Sequence, residues 1–309
     1  MRKNYVKDAA RIRQALQIYE QTASLPGIRD SQFRETLIEQ IIDSEQRVRY
    51  FELLRNRDLD PACIDPSDPG FDPLKASLVH NARGDFDEAV WLVFLFVHFG
   101  KHPVAGWRYI RDIYGRLGSN EHWTWERTSS DPTMFRFWLH DHQDDLLSQP
   151  GPRGFGNHRK YESLNAWGRT GTGEAVESYI TWVLDAGDNH EERFAESLKQ
   201  APSIAFDELY RSLRAVTRFG RVARFDYLVT LMKLGLLPVE PPHSYIQNAT
   251  GPLCGARLLL REDGETGTPS ELEQELQALS EQTGITPDVL EDAVCNWQKS
   301  PGKYIRFSG

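Results

Sequence analysis

The stretch Asp85-Phe-Asp-Glu-Ala-Val-Trp-Leu-Val-Phe-Leu-Phe-Val-His-Phe99 decides the fold class. After an acidic first turn, its side chains are apolar on nearly every side of a helix, with no polar face left for solvent. A helix of this composition must be surrounded by other elements, so we predict a central core helix. Helical periodicity recurs on both sides of it, and we find neither alternating strand patterns nor internal repeats. The sequence therefore predicts an all-α protein.

Prolines and charge divide the chain around this helix. Asp60–Pro73 contains four prolines and few apolar residues, which is typical of a linker or a long surface loop. Glu262–Asp292 carries ten acidic residues and no Lys or Arg, and its Ser270-x-x-Glu273 pattern predicts a capping box. We therefore expect an N-terminal helical region with its linker at residues 1–75, a helical core at 76–261 and an acidic C-terminal helical region at 262–309.

The composition excludes several classes of protein. With 309 residues, 39% of them hydrophobic, the chain can bury a full core and is not disordered. Its longest apolar run, Ala89–Phe99, is far shorter than the roughly 20 residues that a bilayer span requires. The start of the chain has no apolar stretch fit for a signal peptide. We expect a cytoplasmic protein without a membrane partner.

No pattern predicts a metal or a cofactor. The three cysteines, Cys63, Cys254 and Cys295, share no ligand spacing. His140-Asp141-His142 has neighbours only one or two residues apart on a helix, which do not face each other, so a solvated face is the better interpretation. No phosphate-binding GxxxxGK[ST] motif occurs. We expect neither a metal nor a cofactor.

A cationic break between two helices is the first candidate site. The formal net charge of −9 argues against nucleic acid, but the acidity is concentrated near the C-terminus. Leu213-Arg-Ala-Val-Thr-Arg-Phe-Gly-Arg-Val-Ala-Arg-Phe-Asp-Tyr-Leu228 predicts a helix, a glycine-containing turn and a second helix. Such a turn would present unpaired N–H groups and a positive dipole end to a phosphate. The alternative is an ordinary helix pair with solvated arginines. The predicted DNA-binding residues are Arg218, Gly220, Arg221 and Arg224.

This segment resembles the helix-hairpin-helix of the DNA glycosylase superfamily. In that superfamily the hairpin glycine is followed, after a helix, by a Pro-Val-Asp turn carrying the catalytic carboxylate. Here Pro238-Val239-Glu240 stands in a similar place, with Glu for Asp. The chain lacks the usual Gly-x-Gly hairpin and any Lys at the position that a lyase would use. The resemblance therefore implies a monofunctional enzyme.

A closer resemblance covers most of the chain from Arg83 onward. Five stretches carry it in order: GDFDEAVWLVFLFVHFGK (84–101), GFGNHRKYESL (154–164), GTGEAVESYITWV (171–183), FGRVARFDYL (219–228) and ATGPLCGARLL (249–259). They resemble the alpha-glutamyl/putrescinyl thymine pyrophosphorylase family, in its third clade. The resemblance implies a helical fold related to the helix-hairpin-helix glycosylases and a role with hypermodified bases of phage DNA. Some bacterial relatives act in phage defence by removing glucosylated hydroxymethylcytosine.

The candidate catalytic residues are carboxylates in basic and aromatic surroundings. Cleavage of an N-glycosidic bond develops positive charge on the sugar, which a carboxylate stabilises. We rank Asp226 first because it adjoins the hairpin, followed by Glu240 and Glu162. For each of these carboxylates, the alternative to a catalytic role is helix capping, ion pairing or simple exposure to solvent.

A dense group of hydrogen-bonding side chains follows the glycine loop at Gly154–Gly156. Its mixture of an amide, an imidazole, two cations and a phenol suits a polar base, a sugar or a phosphate, although a solvated loop is the alternative. Lys101 follows the core helix and is predicted to be a further phosphate ligand. The predicted substrate-binding residues are Asn157, His158, Arg159, Lys160, Tyr161 and Lys101.

These patterns lead to three hypotheses. The first is a DNA glycosylase that flips out glucosylated 5-hydroxymethylcytosine and leaves an abasic site in phage DNA. The second is an enzyme that joins an amine or amino acid to an activated hydroxymethyl pyrimidine in DNA and releases diphosphate. The third is a non-catalytic DNA-binding helical module. All three take DNA as the partner, and the sequence leaves the oligomeric state open.

Overall fold

The computed structural model describes residues 5–148, 163–262 and 266–307. Within these residues the ordered structure is fifteen α-helices, short 3-10 turns and two isolated bridges, without a named strand. The predicted all-α class is confirmed. The helices are α1 Val6–Tyr19, α2 Ser31–Arg55, α3 Pro73–Ala82, α4 Phe86–Phe99, α5 Arg108–Tyr114, α6 Trp125–Ser130, α7 Pro132–Asp141, α8 Gln143–Ser148, α9 Thr172–Leu184, α10 His190–Ala195, α11 Pro202–Ser212, α12 Arg221–Lys233, α13 Thr250–Leu260, α14 Pro269–Thr283 and α15 Pro287–Trp297.

The chain forms two compact units rather than three consecutive regions. The terminal unit combines residues 1–51 with residues 241–309, and the central unit is residues 52–240. This division differs from the boundaries expected near residues 75 and 262. The proline-rich segment belongs to the central unit, where the 3-10 turn Pro61–Ile64 packs on α3. Distant parts of a sequence share one core when neither part buries its apolar faces alone.

The terminal unit is built around one apolar cluster drawn from both ends of the chain. Leu16 and Ile41 in the N-terminal part pack in the same cluster as Leu276 and Trp297 from the C-terminal part. The indole N–H of Trp297 donates to the carbonyl oxygen of Phe33 at 3.1 Å. The two parts therefore fold as one body.

The first turn of α14 differs from the predicted one. The capping box is formed by Thr268 and Glu271, two residues before the expected Ser270 and Glu273. Glu273 is instead buried, and its carboxylate accepts the backbone N–H of Ile246 at 2.7 Å. A capping box needs Ser or Thr at the N-cap, and Pro269 at the first helical position makes Thr268 that residue.

The central unit is organised around α4, as the sequence predicted. Eleven of its fourteen residues are buried, including Trp91 and Phe94 at 0% exposure. The helices α3, α5, α6, α10 and α12 pack against it. Among the described residues, no helix combines the length and apolar character needed to cross a membrane. The central helix is therefore a scaffold for the elements around it.

Candidate functional site

The predicted break between two helices is a tight turn between α11 and α12. After α11 a 3-10 turn at Leu213–Ala215 leads into residues 216–220, and α12 begins at Arg221. The N–H of Phe219 donates to Val216 at 3.1 Å, and the N–H of Gly220 donates to Arg218 at 3.0 Å. The left-handed residue is Arg218, with a φ of 68°, whereas Gly220 has a φ of −66°. The glycine is therefore not required for the backbone conformation.

Two contacts fix this turn to the core of the central unit. The buried ring of Phe219 stacks on Phe94 of α4, with ring centroids 5.4 Å apart. The N–H of Thr217 donates to Ser178 Oγ of α9 at 2.9 Å. Arg218 and Gly220, in contrast, are exposed. The turn is thus anchored on one side and open to solvent on the other.

The three arginines of the hairpin have different environments. Arg218 is exposed, but Arg221 is only 8% exposed, and its guanidinium lies 4.8 Å from the centre of the Phe225 ring. Arg224 lies 4.3 Å from the ring of Tyr210 and donates to the Tyr210 carbonyl oxygen at 3.2 Å. Long cationic side chains pack their stems and planes on aromatic rings in this way. Arg218 is therefore the hairpin arginine that extends into solvent.

The N-terminus of α12 faces the same open side. No side chain among the described residues caps this helix. A Cβ built on Gly220 would meet nothing within 4 Å. The first N–H groups of a helix carry a partial positive charge and favour an anion. The exposed turn therefore combines a cation, a helix dipole and a glycine at which another molecule can approach the backbone closely.

The two described candidate carboxylates lie at different ends of the hairpin. Asp226 lies on α12 and is half-buried. Six residues of α-helix separate it from Gly220, a rise of about 9 Å. Glu240 is exposed, and its N–H donates to the carbonyl oxygen of Pro202 at 3.2 Å. That contact sits at the start of α11, so Glu240 lies near the open end of the hairpin.

The remaining predicted residues divide into one that the structure describes and six that it does not. Lys101 follows α4 in an exposed loop, and its ammonium lies 5.1 Å from the centre of the Trp107 ring. The others lie outside the described residues: Asn157, His158, Arg159, Lys160, Tyr161 and Glu162.

The C-terminal end of α4 and the N-terminal end of α9 meet beside the hairpin. His98 Nε2 lies 3.1 Å from Thr172 Oγ1, and both side chains are buried. Ser178, which holds the hairpin turn, is six residues further along α9. Those six residues rise about 9 Å, so the loop before α9 and the hairpin turn flank one short stretch of helix.

A buried chain of polar groups crosses the central unit, and the sequence analysis missed it. Asp87 Oδ1 lies 2.5 Å from His190 Nδ1, and His190 Nε2 lies 2.8 Å from the phenol oxygen of Tyr179. That phenol oxygen is 2.8 Å from the phenol oxygen of Tyr227. The side chains of His190, Tyr179 and Tyr227 are fully buried, and Asp87 is partly exposed. The chain links α4, α10, α9 and α12.

Burial and pairing shift the pKa values along this chain. Burial lowers the pKa of His190 against the opposing effect of Asp87, so the imidazole is neutral. Burial raises the pKa of both Tyr179 and Tyr227, which keeps the phenols protonated. For Asp87, burial works against ionisation, but the hydrogen bonds from His190 hold its pKa below the ordinary value. No local pattern could have paired Asp87 with His190, since they are 103 residues apart.

Glu88, next to Asp87 on α4, is a buried acid that the sequence analysis did not single out. Its side chain accepts the hydroxyl of Tyr114 at 2.5 Å and the N–H of Trp125 at 2.6 Å. Burial raises the pKa of Glu88 to about 7. The carboxyl group therefore joins α4 to α5 and to the start of α6. In the sequence, the acidic first turn of α4 was the signal that could have identified it.

The histidine–aspartate segment of α7 and α8 places its side chains along two short helices. In the part of the chain that the structure describes, no group of three or more His, Cys, Asp and Glu side chains is placed to hold an ion. His142 Nδ1 lies 2.9 Å from the carbonyl oxygen of Trp138 on its own helix.

The fold and the hairpin define an all-α protein whose central unit presents an exposed, cationic turn at a helix N-terminus. The profile of the alpha-glutamyl/putrescinyl thymine pyrophosphorylase clade 3 family matches residues 32–309, and the chain belongs to that family. The family resemblance drawn from the five stretches is thereby confirmed. No curated protein and no solved structure matches the chain. Membership indicates an enzyme connected with the modification of DNA bases.

Proposed function

We propose that this protein acts on a hypermodified pyrimidine in DNA and hydrolyses its N-glycosidic bond. The observation that carries the proposal is the exposed turn at Arg218–Gly220, anchored by Phe219 and opening onto the uncapped N-terminus of α12. A turn of this kind suits the sugar–phosphate backbone because it brings a cation and a helix N-terminus to the protein surface. Family membership supports the modified base as the target.

Backbone binding would rest mainly on Arg218 and the N–H groups that follow Gly220. Arg221 and Arg224 would support it indirectly, since their guanidinium groups pack on Phe225 and Tyr210. Lys101 adds an exposed cation at the end of α4. The segment from Asn157 to Tyr161, which lies outside the described residues, would read the modified base and its sugar.

In the reaction, water attacks C1′ of the deoxyribose while the bond from C1′ to the pyrimidine nitrogen breaks. The bonding electrons leave with the base, and the proton lost by water neutralises it. Asp226 is the first candidate to stabilise the cationic sugar, and Glu240 and Glu162 are the others. Its half-burial on the helix that follows the hairpin turn supports Asp226. The product is an abasic site in uncut DNA, which in a bacterial cell would disable a phage genome.

The family description favours a second candidate function. A pyrophosphorylase acting on modified thymine suggests that an amine attacks the 5-methylene carbon of an activated pyrimidine. The carbon–oxygen bond to the diphosphate then breaks, diphosphate leaves with the electron pair, and a carboxylate takes the proton of the amine. The exposed cations around the hairpin suit a diphosphate as well as a DNA backbone.

One experiment separates these functions. Purified full-length protein is incubated with glucosylated, hydroxymethylated and unmodified phage DNA, and with DNA carrying a diphosphate-activated hydroxymethyl pyrimidine plus glutamate or putrescine. Alkali-labile DNA and a free modified base support excision. Diphosphate release and a DNA-linked amine support transfer, and intact DNA in every arm overturns both.

The carboxylate assignment is tested separately. Asp226→Asn is expected to abolish the reaction while leaving DNA binding unchanged. Lys233→Gln on the same helix is the matched control. Full activity in Asp226→Asn, Glu240→Gln and Glu162→Gln would overturn the assignment but not the reaction.

A further inference from the structure

Trp167 is the most exposed tryptophan of the chain. It is 44% exposed, whereas Trp91, Trp123, Trp125, Trp138, Trp182 and Trp297 are buried and Trp107 is half-buried. Its ring packs edge-to-face on the exposed ring of Phe137, with an interplanar angle of 71° and centroids 5.1 Å apart. Burying an aromatic side chain stabilises a protein, and an exposed one forgoes that free energy. A rigid, exposed indole therefore indicates a surface that contacts another molecule.

The loop that carries Trp167 is held firmly. Asn165 Oδ1 accepts the N–H of Trp167 at 2.8 Å and that of Gly168 at 2.5 Å. Arg136 Nε donates to the carbonyl oxygen of Ala166 at 2.8 Å. A Cβ on Gly173 would lie 2.1 Å from that same oxygen, so the loop packs directly on the first turn of α9. The indole is therefore presented in one position, at little entropic cost on binding.

One side of the indole is already occupied by a cation. The guanidinium of Arg136 lies 5.0 Å from the centre of the Trp167 ring. Arg136 also pairs with Glu174 and Glu177, so it is neutralised and fixed. A flat ligand group stacked on the exposed part of the indole would complete a stack of guanidinium, indole and ligand.

Arg169 follows Trp167 by two residues and differs from Arg136 in its surroundings. It is exposed, and within the described ranges its side chain has no hydrogen bond, ion pair or aromatic contact. An exposed aromatic plane followed by an unneutralised cation matches a nucleotide, whose flat base is attached to an anionic phosphate. An apolar peptide would use the indole but not the charge.

We propose that Trp167 and Arg169 form a nucleotide-binding site in which an unpaired DNA base stacks on the indole and its phosphate pairs with Arg169. The inference rests on the proposed function, because it assumes that DNA lies along this side of the central unit. The loop and the hairpin turn are held at Thr172 and Ser178 of α9, about 9 Å apart along the helix.

The test is binding of a fluorescent single-stranded oligonucleotide without modified bases, so that no reaction is needed. Trp167→Ala is expected to weaken binding about 5- to 150-fold, the range found for loss of one stacked base. Trp167→Phe should restore most of it. Arg169→Gln should reduce the slope of log affinity against log salt by about 1. Met134→Ala is the matched control. Met134 is an exposed apolar residue three positions before Phe137 on α7, and its side chain has no ring on which a base could stack.

The outcomes distinguish this site from the proposed function. If the native protein binds or processes DNA but Trp167→Ala is unchanged, the stacking site is wrong and the function stands. If the native protein neither binds nor processes any DNA, the function fails and the site fails with it. If Trp167→Ala instead converts a dimer into a monomer in sedimentation, the patch is a self-association surface and the nucleotide proposal is overturned.

Discussion

The phenol oxygens of Tyr179 and Tyr227 lie 2.8 Å apart at full burial, and they couple α9 to α12 inside the central unit. Tyr179 also reaches His190, which is paired with Asp87 on α4. Because α12 is the second helix of the hairpin, this chain holds the hairpin against the central helix. Buried polar chains of this kind are stabilising only when every member is satisfied.

Removing one hydroxyl of this pair should destabilise the protein. In Tyr179→Phe the hydroxyl of Tyr227 and Nε2 of His190 lose their partner, at a cost of about 1–3 kcal/mol. Tyr227→Phe should cost less, because it leaves only Tyr179 with a reduced set of partners. Urea denaturation of both single variants and the double variant gives the coupling free energy, expected at about 0.5–3 kcal/mol. Additive effects would show that the two hydroxyls do not interact.

Glu88 should make the protein less stable as pH rises. Burial raises its pKa from 4.5 to about 7, so the folded state holds a proton that the unfolded state has lost. The free energy of unfolding should therefore fall between pH 4.5 and 7, by about 3 kcal/mol in all, and then level off. Glu88→Gln removes this titration. Identical pH dependence in the native protein and in this variant, measured by urea denaturation, would contradict the assignment.

His190 should contribute a pH dependence of the opposite sign. Its pKa is lowered by burial, so the unfolded state takes up a proton first as the pH falls. The stabilising contribution is complete above the ordinary histidine pKa of about 6.5 and is lost as the pH falls below it. His190→Gln should show a smaller loss of stability between pH 7 and pH 5 than the native protein. His140→Gln, at an exposed position of α7, is the control.

Arg218 should account for a measurable part of the salt dependence of DNA binding. Each phosphate contact that a cation makes adds about 1 to the slope of log affinity against log salt. Arg218→Gln should lower that slope by about 1 and weaken binding to all sequences alike. Arg57→Gln removes an exposed cation of the same unit outside the hairpin and serves as the control. Equal slopes in both variants would exclude Arg218 from the interface.

Gly220→Ala should separate folding from DNA binding. The added methyl group would meet nothing within 4 Å, and the φ of −66° suits any residue, so the unfolding free energy should stay within about 0.5 kcal/mol. If a DNA backbone approaches this glycine, the same methyl group should weaken binding several-fold. Thermal unfolding and DNA titration of one preparation measure both effects. Unchanged affinity would mean that the backbone does not come close at Gly220.

Local patterns predicted the helices well and their ends less well. The nearly unbroken apolar run Ala89–Phe99 predicted the core helix, which the structure places at Phe86–Phe99. The first turn of α14 was expected to begin with a capping box at Ser270, but the box lies at Thr268, where Pro269 marks the first helical residue. Caps depend on single residues, and several adjacent positions offered similar ones.

The amino-acid order by itself determined the helical class, the core helix, the basic break near Gly220 and the family. These follow from contacts between residues three or four positions apart, or from stretches that can be compared one by one. Tertiary structure alone decided that Arg221 and Arg224 turn onto aromatic rings while Arg218 stays in solvent. It also decided that Asp87 meets His190 and that the two ends of the chain share one core. Burial and pairing between residues a hundred positions apart depend on how the helices pack against one another. Such packing produces no periodic pattern in the sequence.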